Sequence, residues 1–310
     1  MGATAELAGT GSGDRAAGVR RGRRRGSRVG RSNFGWVHRV GIGFLLLWSL
    51  FPVYWALNTS LQTNVQAQGS PPTWFPTHFV FSNYEAVFGV GPSSASTAGG
   101  IGRALLNSAI ESMGATILTL VLATVGAYAF ARLRFRLRGF LFYIVLATLT
   151  LPVYATLIPI YQILTSTHLV NTYIGIIFVY TSGFLPLAMW IMYNMFQAMP
   201  ASIEEAAAID GATSLQIFRR IVLPIVKPGM AAAAIITFLF SWGQFIFPLV
   251  LSSTNSTQPL TVALSALAGR HVVPYTMINA GAIVAIGVPA LIVFFLNRYI
   301  VDGIVAGSVK

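Results

Sequence analysis

The chain of 310 residues contains no cysteine, which excludes disulfides, thiolate metal sites and cysteine nucleophiles together. Acidic residues are scarce as well: eight Asp and Glu stand against twenty Lys and Arg, and charged side chains make up 9% of the whole. Lysine is scarcer still. Lys227 precedes Pro228 and Lys310 ends the sequence, so neither belongs to the Gly-x4-Gly-Lys-Ser/Thr loop that wraps nucleotide phosphates. His38, His78, His168 and His271 are scattered, with no metal-binding spacing such as HExxH and no serine elbow elsewhere. These absences point away from an enzyme and assign any ATP chemistry to another polypeptide.

Apolar side chains are abundant. They make up 55% of the residues, with a mean hydropathy of +0.70, above the roughly 45–50% of soluble domains, where about 25% of residues are charged. Six runs approach the roughly 20 residues needed to cross a hydrocarbon core: 40–57, 105–131, 140–164, 172–196, 229–251 and 278–296. The expected fold class is an all-α polytopic membrane protein with six transmembrane helices. Lys and Arg number nine before the first run, four between the second and third, three between the fourth and fifth, and two after the sixth. The other side has Arg103 and Arg270 alone. The positive-inside rule then places both termini in the cytoplasm, with the chain in the bacterial cell membrane.

The domains follow from this pattern: a basic leader 1–39, a six-span domain 40–300 with an outer loop 62–102 and a polar hairpin 200–224, and a tail 301–310. The leader holds nine arginines among Gly and Ser with no apolar period. It is expected to be disordered and to face anionic headgroups, not nucleic acid. Prolines interrupt every span but the second, at Pro52, Pro152 and Pro159, Pro186, Pro248, and Pro289, and predict kinked helices around a cavity.

The hairpin reads SIEEAAAIDGATSLQIFRRIVLP from Ser202 to Pro224. Ser202 with Glu205, and Thr213 with Gln216, satisfy the capping-box spacing. Two short helices are therefore expected, with a turn at Asp210 and Gly211 and an end at Pro224. The segment resembles the EAA loop of ATP-binding-cassette (ABC) importer permeases at Glu205, Ala206, Ala207, Gly211, Ile221, Leu223 and Pro224. Trp74-Phe75-Pro76, Asn83-Tyr84, Asn107-Ser108, the run Ala127-Tyr128-Ala129-Phe130-Ala131-Arg132 and the tail from Gly303 to Lys310 resemble the maltose and oligosaccharide type of that family. Trp242-Gly243-Gln244 departs from it, because that type often has Trp-Asn and then an acidic residue.

The resemblance implies a non-catalytic permease subunit of an ATP-driven importer, with the hairpin docking on an ATPase. Glu205, with Glu204 as substitute, would meet a basic partner there. Ala206 and Ala207 would allow close approach, Asp210 and Gly211 would form the turn, and Ile221, Leu223 and Pro224 would seat the segment on the bundle. Implied partners are a second permease, two ATPases that bind ATP and Mg, an external solute-binding protein and a sugar. Candidate pathway residues are Asn107, Glu111, Tyr154, Tyr161, Asn194, Trp242 and Gln244, since sugars take aromatic faces together with amides or carboxylates. Glu111 stands out because an intramembrane charge costs roughly 2.5–3.5 kcal/mol. A proton-coupled carrier, an importer of glycerol-phosphate or polyol solutes and a non-transporting scaffold remain open on these residues.

Overall fold

The computed structural model describes residues 34–90, 99–269 and 273–308, and every regular element among them is helical. The expectations for the leader up to residue 33, the Gly/Ser stretch 91–98, Arg270 and residues 309–310 lie outside the described residues. The chain divides into two compact units, Met1–Ser49 and Leu50–Lys310. In the first, the described part is the beginning of α1 (Phe34–Ser60). Trp36, Leu47 and Trp48 are more than 65% exposed there, which suits a lipid environment and not water.

Five helices are long and apolar enough to cross a membrane, and a bent pair makes up to six. Apart from α1 these are α4 (Gly99–Arg132), α7 (Tyr173–Ala198), the helix 214–242 and α13 (Tyr275–Ser308). Between α1 and α4 lie α2 (Asn64–Ala67) and α3 (Ser82–Phe88). The bent pair is α5 (Arg138–Ala147) and α6 (Val153–Ser166), which turn through 104° at the expected third span. Pro152 lacks an N–H and forces Leu151 into an extended conformation (φ −69°, ψ 128°), so the helix cannot continue. The helix of the first span starts at Phe34, ahead of its apolar run, and the helix of the last runs from Tyr275 to Ser308, with Tyr275–Phe295 as its candidate span.

Two further expectations require correction. The fifth span was expected to be 229–251, yet the helix ends at Trp242, and Pro248 sits in a separate short helix, α11 (Ile246–Leu251). Gly243 caps the break, as suits a poor helix former. Pro224 does not end the hairpin's second helix. That helix, α9 (Ser214–Ile217), passes through a π-turn at Phe218–Val222 into α10 (Leu223–Trp242). The Leu223 N–H bonds the Phe218 carbonyl five residues back, and the widened turn accommodates a residue that has no N–H to give.

Packing centres on α4. Asn107, Glu111, Ala115, Thr119, Ala123, Ala127 and Ala131 repeat every four residues and are all at most 8% exposed, an i±4 ridge of small and polar groups. At one end of α4, Ala123, Ala127 and Ala131 join Met192 and Phe196 of α7 and Val222 and Val226 in a core. At the other end, Ile101 packs with Val87 of α3, with Leu260 and Leu267 of α12 (Leu260–Ala268) and with Met277 of α13. Asn83 secures that end: its Nδ2 donates to the Ser60 and Gln62 carbonyls (2.8 and 2.9 Å), and its Oδ1 accepts from Thr276 Oγ1 (3.1 Å). Tyr84 meets Ser60 Oγ at 2.7 Å, so the Asn-Tyr pair joins the loop 62–102 to the helix ends.

Candidate functional site

The hairpin begins with α8 (Ser202–Ile209), joined by a turn to α9. At α9 the expected capping box is present: Gln216 N donates to Thr213 Oγ1, and Thr213 N donates to Gln216 Oε1. At α8 it is not. The helix is entered from Ala201, whose carbonyl already accepts from Glu204 and Glu205 N–H, so Ser202 lies inside the first turn and makes no side-chain cap. Gly211 sits at φ +85°, with nothing within 4 Å of where a Cβ would stand. Glycine is therefore required here by conformation and not by space.

One face of the hairpin is inserted into the protein and the other stands free. Ala207 and Ile217 enter the core beside Met192 and Phe196. Ile221 and Leu223 are only half-buried and Pro224 is exposed, whereas Val222 and Val226 are fully buried. Ile221 packs against that core, as expected, and the fully buried Val222 and Val226 join it there. Glu205, Ala206 and Asp210 are exposed, together with Ile209 at 87% and Leu215 at 62%. Two apolar side chains projecting from a polar hairpin are the composition of a docking face.

Glu204 behaves differently from Glu205. Its Oε1 receives Arg132 Nε at 2.6 Å and its Oε2 receives the Tyr128 hydroxyl at 2.9 Å. Arg132 also donates from Nη2 to the Met199 carbonyl at 2.7 Å. Both members of the ion pair are 15% exposed. Tyr128 lies between Phe196 and Phe218, with ring centroids at 5.5 and 4.8 Å. Arg132 and Tyr128 belong to a run legible in the sequence, but their pairing with a residue more than seventy positions away is not a local signal.

The candidate pathway residues do not meet in one cavity. Asn107 is fully committed: Nδ2 donates to the Asn255 and Gln258 carbonyls, and Oδ1 accepts from Tyr173. Trp242 is also committed, with its indole N–H donating to the Ala285 carbonyl at 2.9 Å. Asn194 donates to Trp190 in its own helix, and Tyr154 and Tyr161 stand exposed on α6 at 73% and 41%. Gln244, half-buried, lies just past the end of α10, where its backbone carbonyl accepts from Thr261 Oγ1. Glu111 is the exception. It is 1% exposed, and the polar group its carboxyl faces is the buried Tyr180 hydroxyl.

A groove of about 400 Å³ runs between α4, α10 and α13, lined by Met113, Ile117, Ile235, Phe238 and Ile292 among others. Its side chains are apolar apart from Thr116 and Trp242, whose polar atoms are bonded elsewhere, so it offers nothing to a sugar hydroxyl. A second cavity, of about 700 Å³, shares Leu105 and Leu106 with this groove and adds Arg103, Asn107 and Tyr173 to a largely apolar lining.

Residues 119–306 match the family described as binding-protein-dependent transport system inner membrane component. The chain belongs to that family. The permease is 36% identical to an osmoprotective compounds uptake permease protein of Synechocystis, over 76% of this chain and 78% of the relative. It is 34% identical to a diacetylchitobiose uptake system permease protein of Streptomyces coelicolor, over 87% of each. Its fold matches a bacterial ABC transporter involved in the import of the acidic polysaccharide alginate, with a TM-score of 0.72 at 24% identity, covering 86% of the permease and 96% of that chain. The expected family and the ABC importer permease fold are therefore shown, and the permease is a multi-pass membrane component of a binding-protein-dependent transport system.

Proposed function

We propose that the permease forms half of the membrane pathway of an ATP-driven importer for a sugar, and that the exposed face of its hairpin docks on an ATPase subunit. The observation that carries this reading is the two-sided hairpin: Ala207 and Ile217 are anchored in the core, while Glu205, Ile209, Asp210 and Leu215 project. A compact element fixed on one side and free on the other can pass a partner's displacement into the bundle. Glu205 meets a basic group of the ATPase, which also holds the ATP and Mg.

A second permease completes the pathway, and an external binding protein delivers the solute to the loop-capped end. The distribution of Lys and Arg supports placing the hairpin and both termini in the cytoplasm. A carbohydrate solute is supported by the diacetylchitobiose relative and by the Trp-Phe-Pro and Asn-Tyr stretches. Among the candidate pathway residues, Glu111 is the buried one not tied to a backbone carbonyl and is the one we assign to solute, whereas Asn107 and Trp242 hold the scaffold. A proton-coupled carrier would require a relay, whereas Glu111 is the one acidic residue within the candidate spans 38–60, 101–132, 138–166, 173–198, 214–242 and 275–295.

The test is to purify the permease from its native membrane, identify the co-purifying chains and assay ATP hydrolysis. The expected result is a second permease and an ATPase, with hydrolysis raised by the loaded binding protein. Recovery of the permease alone, with uptake following a proton gradient, would reject this reading.

A further inference from the structure

The chain runs directly from the hairpin into two spans: back through Met199 into α7, and forward through the π-turn into α10. It does not run from the hairpin into α4, the helix around which the rest packs. The tie to α4 is made by side chains. We propose that Arg132 and Tyr128 form a clamp on Glu204 that makes the last turn of α4 move with the hairpin, so that Glu204 is a transmission residue and not a contact to the ATPase. This rests on the docking reading of the hairpin given above.

Both oxygens of Glu204 are engaged, one by Arg132 and the other by Tyr128, and the side chain is 15% exposed, so the carboxylate is turned into the protein and not toward a partner subunit. Arg132 reaches two elements at once, Glu204 of α8 and the Met199 carbonyl at the end of α7. A guanidinium is suited to this, because its planar fork holds two acceptors in fixed relative positions, which an ammonium does not. Tyr128 adds an apolar contact on the same turn of α4: its ring rests on Phe218 in the π-turn and on Phe196. The cytoplasmic ends of α4 and α7, the hairpin and the entrance to α10 are thus locked at one point. Ala131 and Ala127, buried in the same core, let the neighbouring helices approach closely enough for the clamp to close. A displacement applied to Glu205, on the outer face, reaches α4 through the adjacent residue, Glu204.

The permease has no cysteine, so introduced cysteines report only on their own positions within this chain. Nitroxides at Leu133→Cys and Ile203→Cys, both exposed, would be placed in the full complex, and their separation measured by pulsed electron resonance without nucleotide and with MgATP trapped by vanadate. With the clamp intact, the separation is expected to change by less than about 2 Å, the scale of ordinary helix shifts. With Glu204→Gln or Arg132→Gln the hairpin should slip against α4, changing the separation by about 5 Å or more, or broadening its distribution about twofold on trapping. Arg132→Lys should behave as the Gln variants do, since an ammonium does not fix its two acceptors in relative position as the planar fork does.

Unchanged distances in the Gln variants would overturn the clamp, and so would loss of the ATPase from the Glu204→Gln complex, which would make Glu204 part of the docking face. MgATP hydrolysis by the parent complex separates the two readings. No bound ATPase and no hydrolysis in the parent is a failure of the docking reading. A parent that hydrolyses ATP, with variants that do not slip, is a failure of the clamp alone.

Discussion

The two ends of the i±4 ridge on α4 are chemically unlike. At the hairpin end, the polar side chains that turn inward are paired: Glu204 with Arg132 and Tyr128, and Arg132 also with Met199. Further along α4, Glu111, Ser112, Thr119 and Thr124 are buried, and Glu111 faces the Tyr180 hydroxyl. The ion pair and its hydrogen bonds fix the first region in one arrangement, whereas the second buries polar side chains without an ion pair among the described residues. A transporter that alternates between two states needs both properties, a rigid input and a pathway whose polar groups can rearrange around water or solute.

The largest effect separating the regions is expected from Gly211→Val. A β-branched residue at φ +85° carries a strain of roughly 1–2 kcal/mol or more, which the turn can relieve only by moving the docking face. Binding-protein-stimulated ATP hydrolysis should fall at least about tenfold, since about 1.4 kcal/mol corresponds to that factor, while the amount of permease in the membrane is unchanged. Parent-level stimulation in this variant would break the assignment of the hairpin as the input.

Next comes Asn107→Ala, which removes an amide with three hydrogen bonds and leaves the Asn255 and Gln258 carbonyls and the Tyr173 hydroxyl to find other partners. A loss of about 2–3 kcal/mol in stability is expected, measured as a lowered thermal midpoint of the purified complex and faster proteolysis near residue 255. A variant that keeps its stability but changes solute preference would move Asn107 from scaffold to pathway.

Glu111 sharpens the contrast, because removing a carboxyl buried at a desolvation cost, with one tyrosine hydroxyl beside it, should not destabilise. Glu111→Leu is expected to leave the thermal midpoint unchanged or raised, in line with the replacement of buried polar groups by apolar ones of similar volume. Uptake should fall several-fold while the complex remains assembled. If stability and uptake fall together, Glu111 is structural in the same sense as Asn107. The smallest effect belongs to Trp242→Phe, which gives up the single bond to Ala285 at a cost of about 1 kcal/mol. The expected readout is a slightly lower midpoint with uptake intact.

Much of the hairpin was legible because its signals are local. Thr213 and Gln216 stand at the right spacing and form the box, and Gly211 is where a positive φ is needed. Ser202 carried the same spacing but formed no box, because the turn begins one residue earlier at Ala201 and Glu204 is drawn towards Arg132. Pro224 was read as a stop because a proline removes a backbone bond, and the π-turn supplies a register that tolerates the loss. The same residue type at Pro152 did break its helix, with a bend of 104°. Nothing in the neighbouring sequence separates these two outcomes. The candidate pathway was least legible: Asn107 and Trp242 have the chemistry of solute contacts, but each is bonded to a backbone carbonyl that only the fold brings near.

The sequence alone determined the membrane class, the apolar character of the candidate spans and the family motif, since hydropathy, composition and short-range spacing are properties of contiguous residues. The tertiary structure decided which of two adjacent glutamates faces inward, which prolines bend the chain and which amides are already committed. The physical reason is that a hydrogen bond or an ion pair depends on distances of about 3 Å, and here those distances join residues dozens to more than a hundred positions apart.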